Sequence, residues 1–266
     1  MDATGASLRE ALASAAPAAA DAVPDADALA AAVTDVVSRE DREFGGFAAG
    51  ASLDSPKFPN TPVLRLLQHP ALTSLVPDAA GVASRALSAM TASELRDPVE
   101  GGFFRYATRR DWTVPHYERM LTDNAGLIEV ALAAGDDATA AETARFLVDV
   151  LQLPSGGIAA AQDSESIIDG QRSEGGYYRT ADRADLAPPA LDAKVVTGWN
   201  GHAIAALAAA GARTDPRFVE AARWAADTVL ENNVADDGTL RRASLDEIRS
   251  SAPATLEDYG GLARGL

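Results

Sequence analysis

Two seven-residue strings recur 56 residues apart: Asp41-Arg42-Glu43-Phe44-Gly45-Gly46-Phe47 and Asp97-Pro98-Val99-Glu100-Gly101-Gly102-Phe103. Each sets an acid four residues before a glycine pair and a Phe directly after it. Gly156-Gly157-Ile158 follows 55 residues further on without the acid, and Gly175-Gly176-Tyr177 and Asp236-Asp237-Gly238-Thr239-Leu240 are looser echoes. Chance glycine turns in an Ala-rich chain are the alternative, and the shared acid spacing argues against them. A repeating unit of this length, with two helices and one Gly-Gly-aromatic loop, predicts an all-α fold in which helical hairpins build part of an α/α toroid. The glycines supply positive φ where the loops converge.

Between the loops the apolar residues recur with helical spacing. Residues 1–27 are Ala-rich and carry Pro17 and Pro24, which predicts a frayed helix or linker; residues 28–266 form the toroid domain. Over Asp27–Arg39, Leu29, Val33, Val36 and Val37 share a face. A short helix is expected over Pro59–Gln68, capped by Asn60 or Thr61, with Pro62 in its first turn and His69 at its C-terminal end. Further helices are expected over Ala79–Leu95, Pro115–Ala134 (stopped by Gly135), Asp137–Gln152, Gly198–Ala210 (stopped by Gly211) and Asp215–Asn232, with a last one from near Ala254 to Leu266. That makes roughly eight helices, about four hairpins. No alternation is long enough for a sheet, and short strands are expected only near Gly175–Thr180 and Gly238–Arg242.

Composition narrows the function classes. The chain lacks cysteine, which excludes disulfides, thiolate nucleophiles, Cys-ligated metals and thioredoxin-type redox chemistry within it. A net charge of −16 with no basic stripe excludes a free nucleic-acid partner. Of 23 basic residues only Lys57 and Lys194 are lysine, an acidic, Arg-for-Lys balance that points to a salt-rich, halophilic habitat where counter-ions screen self-repulsion. No apolar run reaches membrane-spanning length, and Met1–Glu10 lacks the basic start and apolar stretch of a secretory signal, so no membrane partner and a cytoplasmic location are expected. No phosphate-binding Gly-rich loop, no Gly-x-Ser-x-Gly elbow and no two-His helical spacing occurs, so neither cofactor nor metal is expected.

Aromatic side chains gather at one end of the units. Of 15 aromatics, Phe146, Phe218 and Trp224 fall inside helices and the other 12 in or beside the loops. Such rings either stack on a sugar or plug the mouth of the toroid.

Several ordered strings resemble the thioredoxin-like YyaL family, which includes the spermatogenesis-associated thioredoxin-like protein of animals. They are Ser55-Pro56-Lys57-Phe58-Pro59; Gly101-Gly102-Phe103-Phe104-Arg105-Tyr106; Asp111-Trp112-Thr113-Val114-Pro115-His116-Tyr117-Glu118-Arg119-Met120-Leu121 with Asp123-Asn124-Ala125; Gln162-Asp163-Ser164-Glu165, with Gln in the first acidic position; Asp192-Ala193-Lys194 with Trp199-Asn200-Gly201; and Leu256-Glu257-Asp258-Tyr259. The resemblance runs from about residue 40 to the C-terminus and implies an (α/α)6 toroid related to six-hairpin glycosidases and the N-acylglucosamine 2-epimerase group. Family members usually carry a thioredoxin-like domain before the toroid and extend well past the Glu-Asp-Tyr string. This chain has neither, which leads to the expectation of a truncated form and of a thioredoxin-like or toroid-completing partner, or self-association.

The candidate catalytic residues are His116, Asp123, Asp163 and Asp258. His116 and Asp123 stand seven apart on the expected helix and would share a face as an acid/base pair; the alternative is that Glu118 and Asp123 complement the helix's own start while His116 hydrogen-bonds loop carbonyls. Asp163 and Glu165 offer the paired carboxylates of glycoside hydrolysis. Asp258 stands at the start of a helix, where a capping role competes. Candidate sugar contacts are Lys57, Phe58, Phe103, Arg105, Tyr106, Trp112, Glu118, Asn124, Glu165, Lys194, Trp199, Asn200 and Tyr259, with buried ion pairing the alternative for both lysines. His202, inside an Ala-rich helix, is expected to be structural. The function expected is a carbohydrate-active domain, glycosidase- or epimerase-like; the alternative is a non-catalytic sugar-binding or scaffold domain.

Overall fold

The structure, a computed structural model, describes residues 2–15 and 23–266. Ten α-helices dominate: α1 (Asp2–Ala15), α2 (Ala26–Ser38), α3 (Thr61–Leu67), α4 (Pro70–Thr73), α5 (Ala79–Thr91), α6 (Leu121–Ala134), α7 (Asp137–Phe146), α8 (Thr197–Arg213), α9 (Arg217–Asn233) and α10 (Leu256–Gly265). The expected linker around Pro17 lies outside the described residues. No helix among the described residues is long and apolar enough to cross a membrane.

Helices alternate between two layers. α3, α6, α8 and α10 pack side by side in that order, while α5 backs α3 and α6, α7 backs α6 and α8, and α9 backs α8. Small residues let the first layer close up. A Cβ on Gly201 would strike the backbone of Gly261, so α8 and α10 approach at van der Waals distance. Leu127, Ile128, Val130 and Leu207 fill the space between layers and are nearly or fully buried.

The connections carry more strand than the sequence suggested. Ten short strands pair in two- and three-stranded sets. The largest difference falls at Pro115–Met120, expected as the first turns of a helix. Pro115–His116 (β2) pairs with Tyr106–Ala107 (β1), and Arg119–Met120 (β3) pairs with Ala161–Gln162 (β4). α6 therefore starts at Leu121, and the shared helical face expected of His116 and Asp123 does not exist. The hairpin Glu165–Ile168 (β5) and Gln171–Glu174 (β6) ends just before the expected strand at Gly175, and Ala243–Leu245 (β9) begins just after the one expected at Gly238–Arg242. His69 caps the start of α4 by accepting from Ala71 N–H, not the end of α3.

The repeat read from the sequence is a repeated piece of structure. In both copies the acid's N–H donates to the second glycine's carbonyl and the first glycine's N–H donates back to the acid: Asp41 with Gly46 and Gly45, Asp97 with Gly102 and Gly101. All four glycines have φ between +68° and +76°. Under the first loop, Asp41 accepts Lys57 Nζ at 2.8 Å and a two-pronged Arg110 at 2.8 and 2.9 Å. Under the second, Asp97 accepts Arg119 at 2.9 Å and a two-pronged Arg183 at 2.7 and 2.9 Å. Lys57 and Arg119 each also donate to the first glycine's carbonyl, at 2.7 and 2.9 Å. Each sits over an aromatic ring, Trp112 and Phe146, and that ring packs on the second glycine of its loop.

A second repeated contact fastens loops to helices. Asn124 of α6 accepts from Phe103 N–H at 2.7 Å and donates to the Phe103 carbonyl at 3.0 Å. Asn200 of α8 does the same with Ile158, at 2.9 and 3.0 Å. Tyr259 of α10 takes the place of the amide, its hydroxyl accepting from Leu240 N–H at 3.3 Å.

Asp97 and Arg119 are fully buried and Arg183 nearly so, and removing one partner strands the others. Asp97→Ala is expected to cost about 3–5 kcal/mol of unfolding free energy. Arg39→Ala, which removes an exposed pair with Asp35, is expected to stay within about 1 kcal/mol of the parent; urea unfolding midpoints check both.

Candidate functional site

The N-terminal ends of α3, α6, α8 and α10 meet around a cavity of about 380 Å³. Thr61 and Pro62 come from α3, Thr122, Asp123 and Gly126 from α6, Trp199 and His202 from α8, and Glu257 from α10; Arg65 and Glu129 lie one or two turns further along their helices. Four helix starts converge on this end, and their dipoles favour negative or oxygen-rich ligands.

Two groups here are chemically free. Asp123 accepts no hydrogen bond among the described residues, and its burial, reinforced by Glu118 and opposed by Arg105, raises its carboxyl from 3.8 to about 6. His202 likewise has no hydrogen-bond partner among the described residues, and burial, with Arg264 close by, lowers its pKa. Burial thus pushes the two groups in opposite senses, Asp123 toward keeping its proton and His202 toward releasing it, the direction an acid and a base need. Trp199, one turn before His202, supplies a half-buried ring to the same wall.

Beside the cavity three rings stack. Phe58 lies 4.8 Å from Tyr106, and Tyr106 lies 5.1 Å from His116, which it faces across the β1–β2 pair. His116 Nδ1 is 3.2 Å from Glu174 and Nε2 is 3.8 Å from Glu118. Glu118 in turn pairs with Arg105 at 2.7 Å, and both act electrostatically on Asp123. The structure therefore brings Asp123, Trp199, Arg105, Glu118, His116, Tyr106 and Phe58 to one end of the fold.

The other sequence candidates are engaged in holding the fold. Asp258 is fully buried and caps α10, accepting from Thr255 N–H at 2.7 Å, Gly198 N–H at 3.1 Å and Arg242 at 2.9 Å. Burial opposes its ionisation, but these bonds outweigh it and hold the carboxyl below the usual range. Lys57 is fully buried on Asp41, with its own pKa lowered by burial. Phe103 and Trp112 are core residues, and Asn124 and Asn200 are the loop fasteners already described. Asp163 is exposed and accepts from Glu165 N–H at 3.2 Å, while Glu165 pairs with Arg172 across the β5–β6 hairpin. Lys194 pairs with Asp192 at 3.0 Å on the surface, and Tyr259 is occupied with Leu240. Sequence reasoning missed His202, Arg65, Glu129 and Glu257; the signals present were the Trp199–His202 and Asp123–Gly126–Glu129 spacings, each on one helix face.

Three larger hollows, of about 640, 610 and 560 Å³, open beside Trp112, beside Tyr117 and beside Arg110. Their charged groups are mostly committed: Arg85 to Glu40, Arg96 to Glu142 and Glu94 to Val114 N–H.

Folded Asp123 keeps a proton that the unfolded chain loses between pH 3.8 and about 6. Its contribution to stability therefore falls as pH rises through that window. Asp123→Asn is expected to raise stability at neutral pH by on the order of 1–3 kcal/mol and to remove this slope, read from urea midpoints against pH.

No family model matches the chain. Over 152 residues, 52% of the chain, it is 36% identical to human spermatogenesis-associated protein 20, and over the same length 35% identical to the mouse protein. The matched stretch makes up 19% and 18% of those proteins, so the chain spans about a fifth of the curated relatives' length. Among solved structures it is similar to a cellobiose 2-epimerase from Spirochaeta thermophila DSM 6192 (TM-score 0.58, 18% identity, 86% of this chain and 59% of that one). It is similar also to a D-mannose isomerase (0.57, 11%, 86% and 59%) and to an unsaturated glucuronyl hydrolase specific for heparin (0.60, 9%, 90% and 66%). The chain thus combines sequence similarity to spermatogenesis-associated protein 20 with the helix-rich α/α-toroid architecture of sugar epimerases and glycoside hydrolases.

Proposed function

We propose that the chain is a carbohydrate-active α/α-toroid domain, epimerase-like or glycosidase-like, with its acid/base chemistry at the cavity between the four helix starts. The observation that carries the proposal is that one cavity holds both Asp123, whose carboxyl burial raises to about 6, and His202, whose pKa burial lowers, neither bonded to another side chain among the described residues. An epimerase-like reaction uses both directly: His202 removes the proton on the carbon next to an open-chain sugar's carbonyl, and Asp123 donates a proton to the developing oxyanion. In a glycosidase-like reaction Asp123 protonates the leaving oxygen and a second carboxylate, Glu257, serves a water or the sugar carbon. The free imidazole favours the epimerase-like form. His116, stacked on Tyr106 at the mouth, is placed to contact the sugar, not to share the proton with Asp123.

The helices supply four hairpins of such a ring. A second reading, a sugar-binding or scaffold domain working with a thioredoxin-like or ring-completing partner, is favoured by one feature. Leu256 and Tyr259 of α10 and Leu266 just after it are 88, 46 and 66% exposed along one side, an apolar stripe that a partner's helices would cover. The acidic, Lys-poor composition supports a salt-rich cytoplasm as the setting.

The test is turnover of a panel of aldoses and disaccharides in roughly molar KCl, a salt level that screens the acidic surface, followed by NMR of the product sugars. Asp123→Asn and His202→Ala are each expected to lower turnover by about 100-fold or more while a sugar-induced rise in melting temperature persists. Sugar binding without turnover in the parent chain would favour the scaffold reading.

A further inference from the structure

Below the acid and base, three charged side chains from three different helices meet. Glu129 of α6 takes Arg65 Nε of α3 at 2.7 Å on one oxygen and the Arg264 guanidinium of α10 on the other. Glu129 is largely covered, at 12% side-chain exposure, while the arginines keep 38 and 39%. Among the described residues neither guanidinium pairs with a second carboxylate, so two positive charges share one negative. The neighbouring Glu257 turns to a different arginine, Arg242, at 3.1 Å, which it shares with Asp258. In a chain of net charge −16, whose other inward cations, Lys57, Arg119 and Arg183, are fully satisfied by acids, this unmatched positive charge stands out.

We infer that the cavity takes an anionic saccharide, its carboxylate or phosphate bound by Arg65 on the cavity wall and by Arg264, which meets Arg65 on the wall residue Glu129. Each guanidinium presents a planar fork suited to two oxygens, and the pair is already oriented by the shared Glu129. Water still reaches both heads, so an incoming oxyanion replaces solvent without breaking the bonds to Glu129. Trp199 and the paired Asp123 and His202 lie on the walls of the same cavity, where the neutral part of the sugar would rest. This inference rests on reading the cavity as a sugar site and adds the class of sugar.

The experiment is isothermal titration of the intact chain with D-glucuronate, D-glucose 6-phosphate and D-glucose at two KCl concentrations. At least one anionic sugar is expected to bind about tenfold or more tightly than glucose, with an affinity that falls as salt rises. Glucuronate against glucose 6-phosphate decides between carboxylate and phosphate as the source of the anion. Arg264→Gln is expected to bring the anionic sugar down to the affinity of glucose and leave glucose unchanged. Glucose binding as well as both anions would overturn the anionic assignment while leaving the sugar site standing. Binding of no sugar would overturn both. The comparison within the parent chain decides the matter even where the Arg264 variant does not fold.

Discussion

Two buried carboxylates, Asp41 and Asp97, hold the loop end of this molecule in place. Each satisfies its own glycine loop through backbone bonds and then draws in two cations from later in the chain. Buried charge is costly unless fully paired, so the arrangement works only as a set. What the set fixes is position. Lys57 is held on Asp41, and its backbone exchanges both hydrogen bonds with Ala107. That places Phe58 beside Tyr106, and the β1–β2 register then places Tyr106 beside His116. Arg119, held on Asp97 and on Gln162, sets where β3 ends and α6 begins, and so where Asp123 sits.

The site's chemistry depends on a contrast with that scaffold. Asp41 and Asp258 are ionised and enclosed by donors that outweigh their burial. Asp123 experiences burial without donors, and its proton affinity rises. The same side-chain type thus has opposite properties a few residues from the same helix starts, because hydrogen bonding to the charged form and desolvation push in opposite directions. A carboxyl of raised proton affinity in the same cavity as an imidazole of lowered one is characteristic of sites that act on a ligand.

The architecture was legible in the sequence because it repeats. The Asp-x-x-x-Gly-Gly-Phe strings, the helical spacing of apolar residues in α8 and α9, and the Gly135 stop became structure with boundaries within a few residues, although Gly211, expected to stop α8, lies inside it. Pro115–Met120 was not legible. Its Pro and acids look like a helix start, but extended pairing on both sides, and Arg119's reach to Asp97, override that local preference. Motif strength also misled about roles. Asn124, Asn200, Lys57 and Asp258 stand in the most recognisable strings because the loops need them, whereas His202 and the Arg65–Glu129–Arg264 group stand outside any string. That group joins residues 64 and 135 positions apart, and only the arrangement of α3, α6 and α10 brings them together.

The claim at the centre of this account is that Asp123 is the proton-holding group of a sugar cavity. The most direct measurement is an NMR titration of the carboxyl carbons in chain labelled at aspartate, with Asp123→Asn assigning the resonance, in the presence and absence of a saturating sugar. The account predicts a midpoint near the value of about 6 that burial imposes, well separated from the other aspartates, and a displacement of that midpoint when sugar binds. An Asp123 midpoint near the ordinary value of 3.8, unmoved by any sugar, would contradict it.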